Sequence, residues 1–146
     1  MTLLEKSLEI ALTAHQGQKD KAGAPYILHP LRVMLSMETE LEMVAAVLHD
    51  VVEDSGLTVE DLRREGIPEA ALAAVAHLTR VEGEGYDDFI ERVKQNDIAS
   101  KVKLADLEDN LNIKRIAQPT ERDLERLKKY RRAWTTLKGD QVGPPP

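Results

Sequence analysis

The chain has 146 residues, 42% hydrophobic and 32% charged, with a net charge of −6 at neutral pH. This length predicts one domain with a single core, and the negative charge disfavours non-specific binding to nucleic acid. The chain has no cysteine, which excludes disulfides and thiolate metal ligands. It shows no secretion signal and no apolar run of about 20 residues, so we predict a cytoplasmic protein that does not span a membrane.

Helical periodicity extends along most of the chain. It predicts a first helix over residues 2–16, and Pro30 is expected to open a second helix after the loop QGQKDKAGAPY. The apolar pattern of residues 40–54 predicts a helix that is apolar on most sides. Such a helix is expected to lie at the centre of the fold. Thr58 and Asp61 resemble a capping box that opens a short helix ending at Gly66.

Four more helices are predicted after that, over residues 68–80, 86–95, 97–113 and about 119–137. No segment shows the alternation of a strand, so we predict an all-α bundle of about seven to eight helices. The predicted domain covers residues 1–138, and the tail 139–146 is expected to be disordered. The sequence leaves open whether the chain forms an oligomer, and Trp134 is expected to pack on its own domain.

The most informative feature is the pair His49-Asp50 within the apolar run MVAAVLHDVV. Burying a carboxylate costs several kcal/mol unless it has a partner or a metal ion. On a regular helix, with about 100° per residue, His49, Asp50, Glu53 and Asp54 fall within an arc of roughly 140°. One imidazole and three carboxylates would then point to one region, although a solvated helix end explains Glu53 and Asp54 equally well.

A second polar cluster lies in the sequence KLADLEDN. Asp106 and Asn110 are one helical turn apart, and Asp106 adjoins an apolar stripe, which favours an inward-facing ligand. Glu108 and Asp109 are interpreted as an acidic helix surface.

His29 is held between an apolar tripeptide and Pro30 and therefore has little conformational freedom. A histidine in such a position is, by itself, more often structural than a ligand. His15 and His77 receive the same interpretation, because neither has a carboxylate cluster near it in sequence.

His29, His49, Asp50 and Asp106 together offer two imidazoles and two carboxylates from three separate helices. Nitrogen and oxygen ligands without sulfur suit Mn²⁺, Fe²⁺ or Zn²⁺. Such an ion lowers the pKa of bound water and polarises a phosphoryl oxygen. Spacing alone does not distinguish phosphate-ester chemistry from other hydrolysis.

The chain resembles the HD superfamily of metal-dependent phosphohydrolases, and within it the RelA/SpoT-type alarmone hydrolase domain with its short stand-alone members. The matching stretches occur in the family's order, at residues 14–33, 45–62, 78–80 and 102–111. The most specific are GQKDKAGAPYILHP and LHDVVED. The resemblance implies hydrolysis of the 3′-pyrophosphate of guanosine tetra- or pentaphosphate (ppGpp or pppGpp), and no alarmone synthesis is expected from so short a chain.

The resemblance also implies a role for each matching residue. It implies that Mn²⁺ is bound by His29, His49, Asp50 and Asp106. It also implies that Glu53 and Asp54 orient or activate the attacking water. It further implies that Asn110 contacts the ribose-phosphate region and that Lys21 neutralises phosphate, with Lys103 a weaker candidate for the same role.

Three positions depart from the family pattern. Asp20 replaces an arginine that packs against guanine, and it would repel phosphate. Leu107 and Asp109 replace an arginine and a histidine, which removes positive or neutral contacts near the substrate. Two alternatives therefore stay open: hydrolysis of another nucleotide, such as NADPH or a nucleoside monophosphate, and a nucleotide-binding module without catalysis.

Overall fold

A computed structural model of the chain describes residues 1–112 and 118–139. Within these residues the fold is all-α, as predicted, and it has nine helices. In chain order they are α1 (Leu3–Ala14), α2 (Leu28–Leu35), α3 (Glu40–Leu48), α4 (Val51–Asp54), α5 (Val59–Arg64), α6 (Glu69–Leu78), α7 (Tyr86–Lys94), α8 (Asp97–Asn110) and α9 (Glu121–Lys138). Among the described helices, none combines the length and hydrophobicity needed to span a bilayer.

Threonine capping boxes fix where several helices begin. At Thr58 the side chain accepts a hydrogen bond from the backbone of Asp61, and the Asp61 side chain bonds back, as the sequence predicts. The same reciprocal pair occurs at Thr2, Thr39 and Thr120. Each box satisfies backbone N–H groups that have no partner within the helix.

The centre of the fold is α3, which packs against α1, α2, α6 and α8. Residues 44–48 of this helix are fully buried. Ala45 and Ala46 are small, which allows neighbouring helices to approach closely. The prediction that residues 40–54 hold a central segment is confirmed.

The prediction of one continuous helix over residues 40–54 is wrong, because the helix stops at Leu48 and a new one starts at Val51. The reason lies at His49, whose Nδ1 lies 2.6 Å from the carbonyl oxygen of Ala46. In a regular helix this carbonyl would accept from the amide of residue 50. The His49 side chain competes for the acceptor and interrupts the helix at two of the predicted metal ligands, His49 and Asp50.

Other boundaries differ slightly from the sequence prediction. The second helix begins at Leu28 rather than at Pro30, since proline is tolerated in a first turn where N–H groups have no helical partner. The predicted extension of α8 to residue 113 and the predicted disorder of residues 140–146 lie outside the described residues. Trp134 is partly buried against the core, and its Nε1 donates to Glu108 at 3.1 Å.

Candidate metal centre and substrate cleft

The four predicted metal ligands come from three parts of the fold and meet at one point. His29 lies in the first turn of α2, His49 and Asp50 lie between α3 and α4, and Asp106 lies in α8. The Oδ1 atom of Asp106 is 2.7 Å from His29 Nε2 and 3.4 Å from His49 Nε2. The Oδ2 atom of Asp50 is 3.1 Å from His49 Nε2.

These separations suit donors that share one cation. Two ligand atoms at right angles, each about 2.1 Å from an ion, lie about 3 Å apart. One ligand atom from each of His29, His49 and Asp50 lies within 4.8 Å of the other two. Asp106 is not one of this group of three, but its Oδ1 lies 2.7 Å and 3.4 Å from the two imidazoles.

The hydrogen bond of His49 fixes which nitrogen faces the cluster. Because a carbonyl only accepts, Nδ1 donates to Ala46, and in the neutral ring Nε2 carries the lone pair. This Nε2 is buried and has no hydrogen-bond partner among the described residues, yet it faces the carboxylates of Asp50 and Asp106. A positive charge stabilises a lone pair that faces two anions, and either a proton on Nε2 or a divalent cation supplies it; the nitrogen and oxygen donors present fit such a cation.

The electrostatics of the cluster favour the same arrangement. Burial opposes ionisation of Asp106, but the ammonium of Lys103 and the two imidazoles outweigh it and hold the pKa of this carboxyl well below its usual range. Burial likewise opposes ionisation of Asp50, and His49 lowers its pKa. Burial lowers the pKa of His49, but the two carboxylates raise it well above its usual value. The centre thus attracts positive charge, as protons or as a metal ion.

Hydrogen bonds from neighbouring residues hold the two carboxylates. The Tyr26 hydroxyl donates to Asp50 Oδ2. The Lys103 ammonium donates to Asp106 Oδ2 at 2.8 Å, and the Asn110 amide donates to Asp106 Oδ1 at 3.2 Å. The Lys103 side chain is 15% exposed, so the charge predicted to bind phosphate lies largely buried against a carboxylate.

Glu53 and Asp54, the predicted residues for activating water, lie on α4 one turn beyond the break. Glu53 Oε1 accepts from the backbone N–H of Arg80 at 2.6 Å. Asp54 Oδ2 lies 3.3 Å from the Gln18 amide, which donates to it, and 3.9 Å from Nδ1 of His15. Both carboxylates are exposed, so water and solutes reach them.

A cleft of about 350 Å³ lies beside the cluster. Its wall includes His29 and Tyr26, and it also includes two predicted substrate-binding residues, Lys21 and Asn110. Tyr130 from α9 lies on the same wall. Lys103 is not part of the wall, so of the three residues predicted to bind substrate only two border the cleft.

Curated relatives and a solved structure resemble this chain, whereas no family model matches it. A guanosine-3′,5′-bis(diphosphate) 3′-pyrophosphohydrolase of Aquifex aeolicus is 32% identical over 121 residues, covering 74% of this chain and 17% of the relative. A GTP pyrophosphokinase of Streptomyces coelicolor is 35% identical over 147 residues, covering 92% of this chain and 16% of the relative. The solved structure is of a metazoan ortholog of SpoT that hydrolyzes ppGpp, with a TM-score of 0.80 and 26% identity over 95% of this chain and 87% of the other.

The chain belongs to the RelA/SpoT-type HD-domain family. It spans only 9% to 19% of the length of the curated relatives compared. The solved structure, in contrast, is matched over nearly its whole length. The likeness to the long relatives therefore concerns one HD-type domain.

The three departures from the RelA/SpoT-type pattern have structural explanations. Asp20 Oδ1 accepts from the backbone N–H groups of Ala22 and Ala24, both at 2.9 Å, and so it closes the loop beside the cleft. Leu107 is fully buried in the core and is not part of the wall of the cleft. Asp109 was predicted to be surface charge, and this is wrong, because its side chain is only 13% exposed.

Asp109 and Arg32 are site residues that sequence reasoning missed. Asp109 Oδ2 lies 2.5 Å from His29 Nδ1, and the Arg32 guanidinium donates to both oxygens of Asp109 at 2.8 Å and 3.1 Å. A signal was present, since Arg32 lies three residues after His29 and Asp109 three residues after Asp106, a spacing that places each pair on one helix face. Tyr26 was also missed, and no spacing pointed to it.

Proposed function

We propose that this chain is a Mn²⁺-dependent hydrolase that removes the 3′-pyrophosphate from ppGpp or pppGpp. Water adds to the 3′-diphosphate, the phosphoester bond breaks, and GDP or GTP leaves together with pyrophosphate. The observation that carries the proposal is a group of three possible ligands, His29, His49 and Asp50, with Asp106 against both imidazoles. The Nε2 of His49 has no hydrogen-bond partner among the residues that the structure describes, and the group lies beside a cleft bordered by Lys21 and Asn110. The names of the relatives and of the solved structure support the same substrate.

Donor chemistry supports a divalent cation, and the choice of Mn²⁺ is what the resemblance to the RelA/SpoT-type domain implies. The chain contributes two imidazoles and two carboxylates and has no sulfur ligand to offer, a set that suits Mn²⁺, Fe²⁺ or Zn²⁺. When bound, such a cation lowers the pKa of water and draws electron density from a phosphoryl oxygen.

The residues of the chain supply the remaining steps. Glu53, held by the N–H of Arg80, accepts the proton of the attacking water, and Asp54 orients that water from the same helical turn. Lys21 offsets phosphate charge on the wall of the cleft. Asn110 bonds to Asp106 and contacts the ribose-phosphate region.

A second candidate substrate is another nucleotide, namely NADPH or a nucleoside monophosphate. Asp20 favours it, because a carboxylate beside the cleft cannot stack on guanine as an arginine does. A nucleotide-binding module without catalysis is disfavoured, since the four ligand positions and both Glu53 and Asp54 are intact. The cytoplasm stays the predicted location, and oligomer formation stays open.

A panel assay tests the substrate. With Mn²⁺ present, we expect kcat/KM to be higher for ppGpp than for NADPH or for nucleoside monophosphates, because Lys21 and Asn110 border the cleft beside the proposed metal cluster. Higher kcat/KM for one of the others would reassign the substrate, and tight nucleotide binding without turnover would favour the binding module.

Asp20→Asn gives the panel assay a sharper form. The amide keeps the acceptor for Ala22 and Ala24 but removes a negative charge beside the cleft. We therefore expect KM for ppGpp to fall about two- to five-fold, as for the loss of one partly screened repulsion, with kcat unchanged. An unchanged KM would mean that Asp20 acts only on the loop.

A further inference from the structure

The imidazole of His29 is held at both of its ring nitrogens by carboxylates from one helix. Nε2 lies 2.7 Å from Asp106 Oδ1, and Nδ1 lies 2.5 Å from Asp109 Oδ2. The two aspartates are one turn apart on α8, and the histidine lies on α2, which packs against α8. The ring is 4% exposed, so water competes little for either nitrogen.

The two contacts have different chemical meanings. Asp106 and Nε2 lie on the side of His49 and Asp50, where the shared cation would lie. Asp109 contacts Nδ1, the nitrogen on the other side of the ring from Asp106. It therefore accepts the Nδ1 proton and leaves the lone pair of Nε2 for the centre.

Arg32 keeps Asp109 in position. Its Nε and Nη2 donate to separate oxygens of the carboxylate at 2.8 Å and 3.1 Å, a two-point contact that fixes the plane of the acceptor. Arg32 also neutralises the charge that Asp109 brings to a place with two anionic ligands.

The geometry points to Asp109, anchored by Arg32, as a positioning residue that fixes the tautomer and orientation of His29 for metal binding. This inference rests on the proposed metal centre, and it gives a role to a residue at which this chain departs from the family pattern. His49 achieves the same result differently, since its Nδ1 donates to the uncharged carbonyl of Ala46. A charged acceptor makes the imidazole of His29 the stronger ligand of the two.

The test is metal affinity in the full chain, measured for Mn²⁺ by competition with a chelator. For Asp109→Asn we expect the dissociation constant to rise about ten- to a hundred-fold, the usual loss for an outer hydrogen-bond partner of a metal ligand. Arg32→Gln leaves the carboxylate but removes its anchor, so a smaller rise in the same direction is expected. Glu108→Gln is the matched control, because it removes a carboxylate one residue away that bonds to Trp134 and not to His29.

A spectroscopic readout separates positioning from general damage. With diamagnetic Zn²⁺ in place of Mn²⁺, long-range proton–nitrogen spectra of ¹⁵N-labelled protein should show His29 protonated at Nδ1 in the wild type. In Asp109→Asn the Nδ1 proton signal should shift or broaden, whereas that of His49 should stay unchanged.

The outcomes distinguish this inference from the proposed function. A wild type that binds Mn²⁺, with Asp109→Asn weakened and its His29 signal altered, supports the inference. A wild type that binds Mn²⁺ while Asp109→Asn binds equally well overturns the inference alone. A folded wild type that binds no divalent ion overturns the metal centre and the inference with it.

Discussion

His49→Ala is expected to abolish metal binding and to lower kcat by about a thousand-fold or more. His49 Nε2 is one of the buried side-chain atoms that have no hydrogen-bond partner within the described part of the chain, and it lies 3.1 Å from Asp50 Oδ2 and 3.4 Å from Asp106 Oδ1. Removing it deprives the cation of a central donor, and the several kcal/mol that a metal ion contributes to the transition state are lost with it. Elemental analysis of the purified protein should find about one Mn²⁺ per wild-type chain and almost none in the variant.

His77→Ala is the matched control for that variant. His77 also lies near the end of a helix, and its Nδ1 also contacts a carbonyl of its own helix, Ala73, at 2.8 Å. It has no contact with the ligand cluster, so metal content and kcat should stay at wild-type values. Equal metal content in His49→Ala and His77→Ala would rule out the assigned centre.

Much of this fold follows from local sequence signals. Capping residues such as Thr58 and Asp61 act within one turn, and apolar periodicity over residues 40–54 identifies the central segment. Asp106 could be assigned to the interior because it adjoins an apolar stripe on its own helix. These inferences succeed because the interactions that decide them lie within a few residues in sequence.

Other features depend on contacts that periodicity does not encode. The break after Leu48 arises because the His49 side chain bonds to the backbone carbonyl of Ala46. The apolar periodicity of residues 40–54 carries no signal of that contact. That break changes the site, because it brings the side chains of two adjacent residues together. His49 Nε2 and Asp50 Oδ2 lie 3.1 Å apart. Asp109 was misjudged for a similar reason, because its partners on α2 lie 77 and 80 residues earlier in the chain.

The wall of the cleft shows the same limitation. The sequence of α9 is highly charged, which favours an exposed helix, and most of its residues are exposed or only partly buried. Tyr130 nevertheless lines the same cleft as Lys21, so the last described helix and the first loop both border the cleft. A cleft formed by residues so far apart in sequence becomes visible only when the helices are packed.

Glu53→Gln is expected to keep the metal and to lower kcat by about a hundred- to ten-thousand-fold, the range of a general base. The substitution is nearly isosteric, and the glutamine Oε1 can still accept from the N–H of Arg80, so the side chain should stay in position. What is lost is the ability to take a proton from water, because an amide is not a base. Metal content, KM and kcat for ppGpp should be measured on the same preparation, and only kcat should change greatly.

Glu60→Gln provides the comparison for this variant, since Glu60 is an exposed glutamate on α5 that pairs with Arg63 and has no contact with the cluster. Its kcat should equal that of the wild type. If Glu53→Gln turned over at the wild-type rate, Glu53 would not be the base, and Asp54, one residue further along the same helix, would be the remaining carboxylate for that role. If Glu53→Gln lost its metal, Glu53 would instead support the cation, because loss of turnover would then follow from an empty centre rather than from a missing proton acceptor.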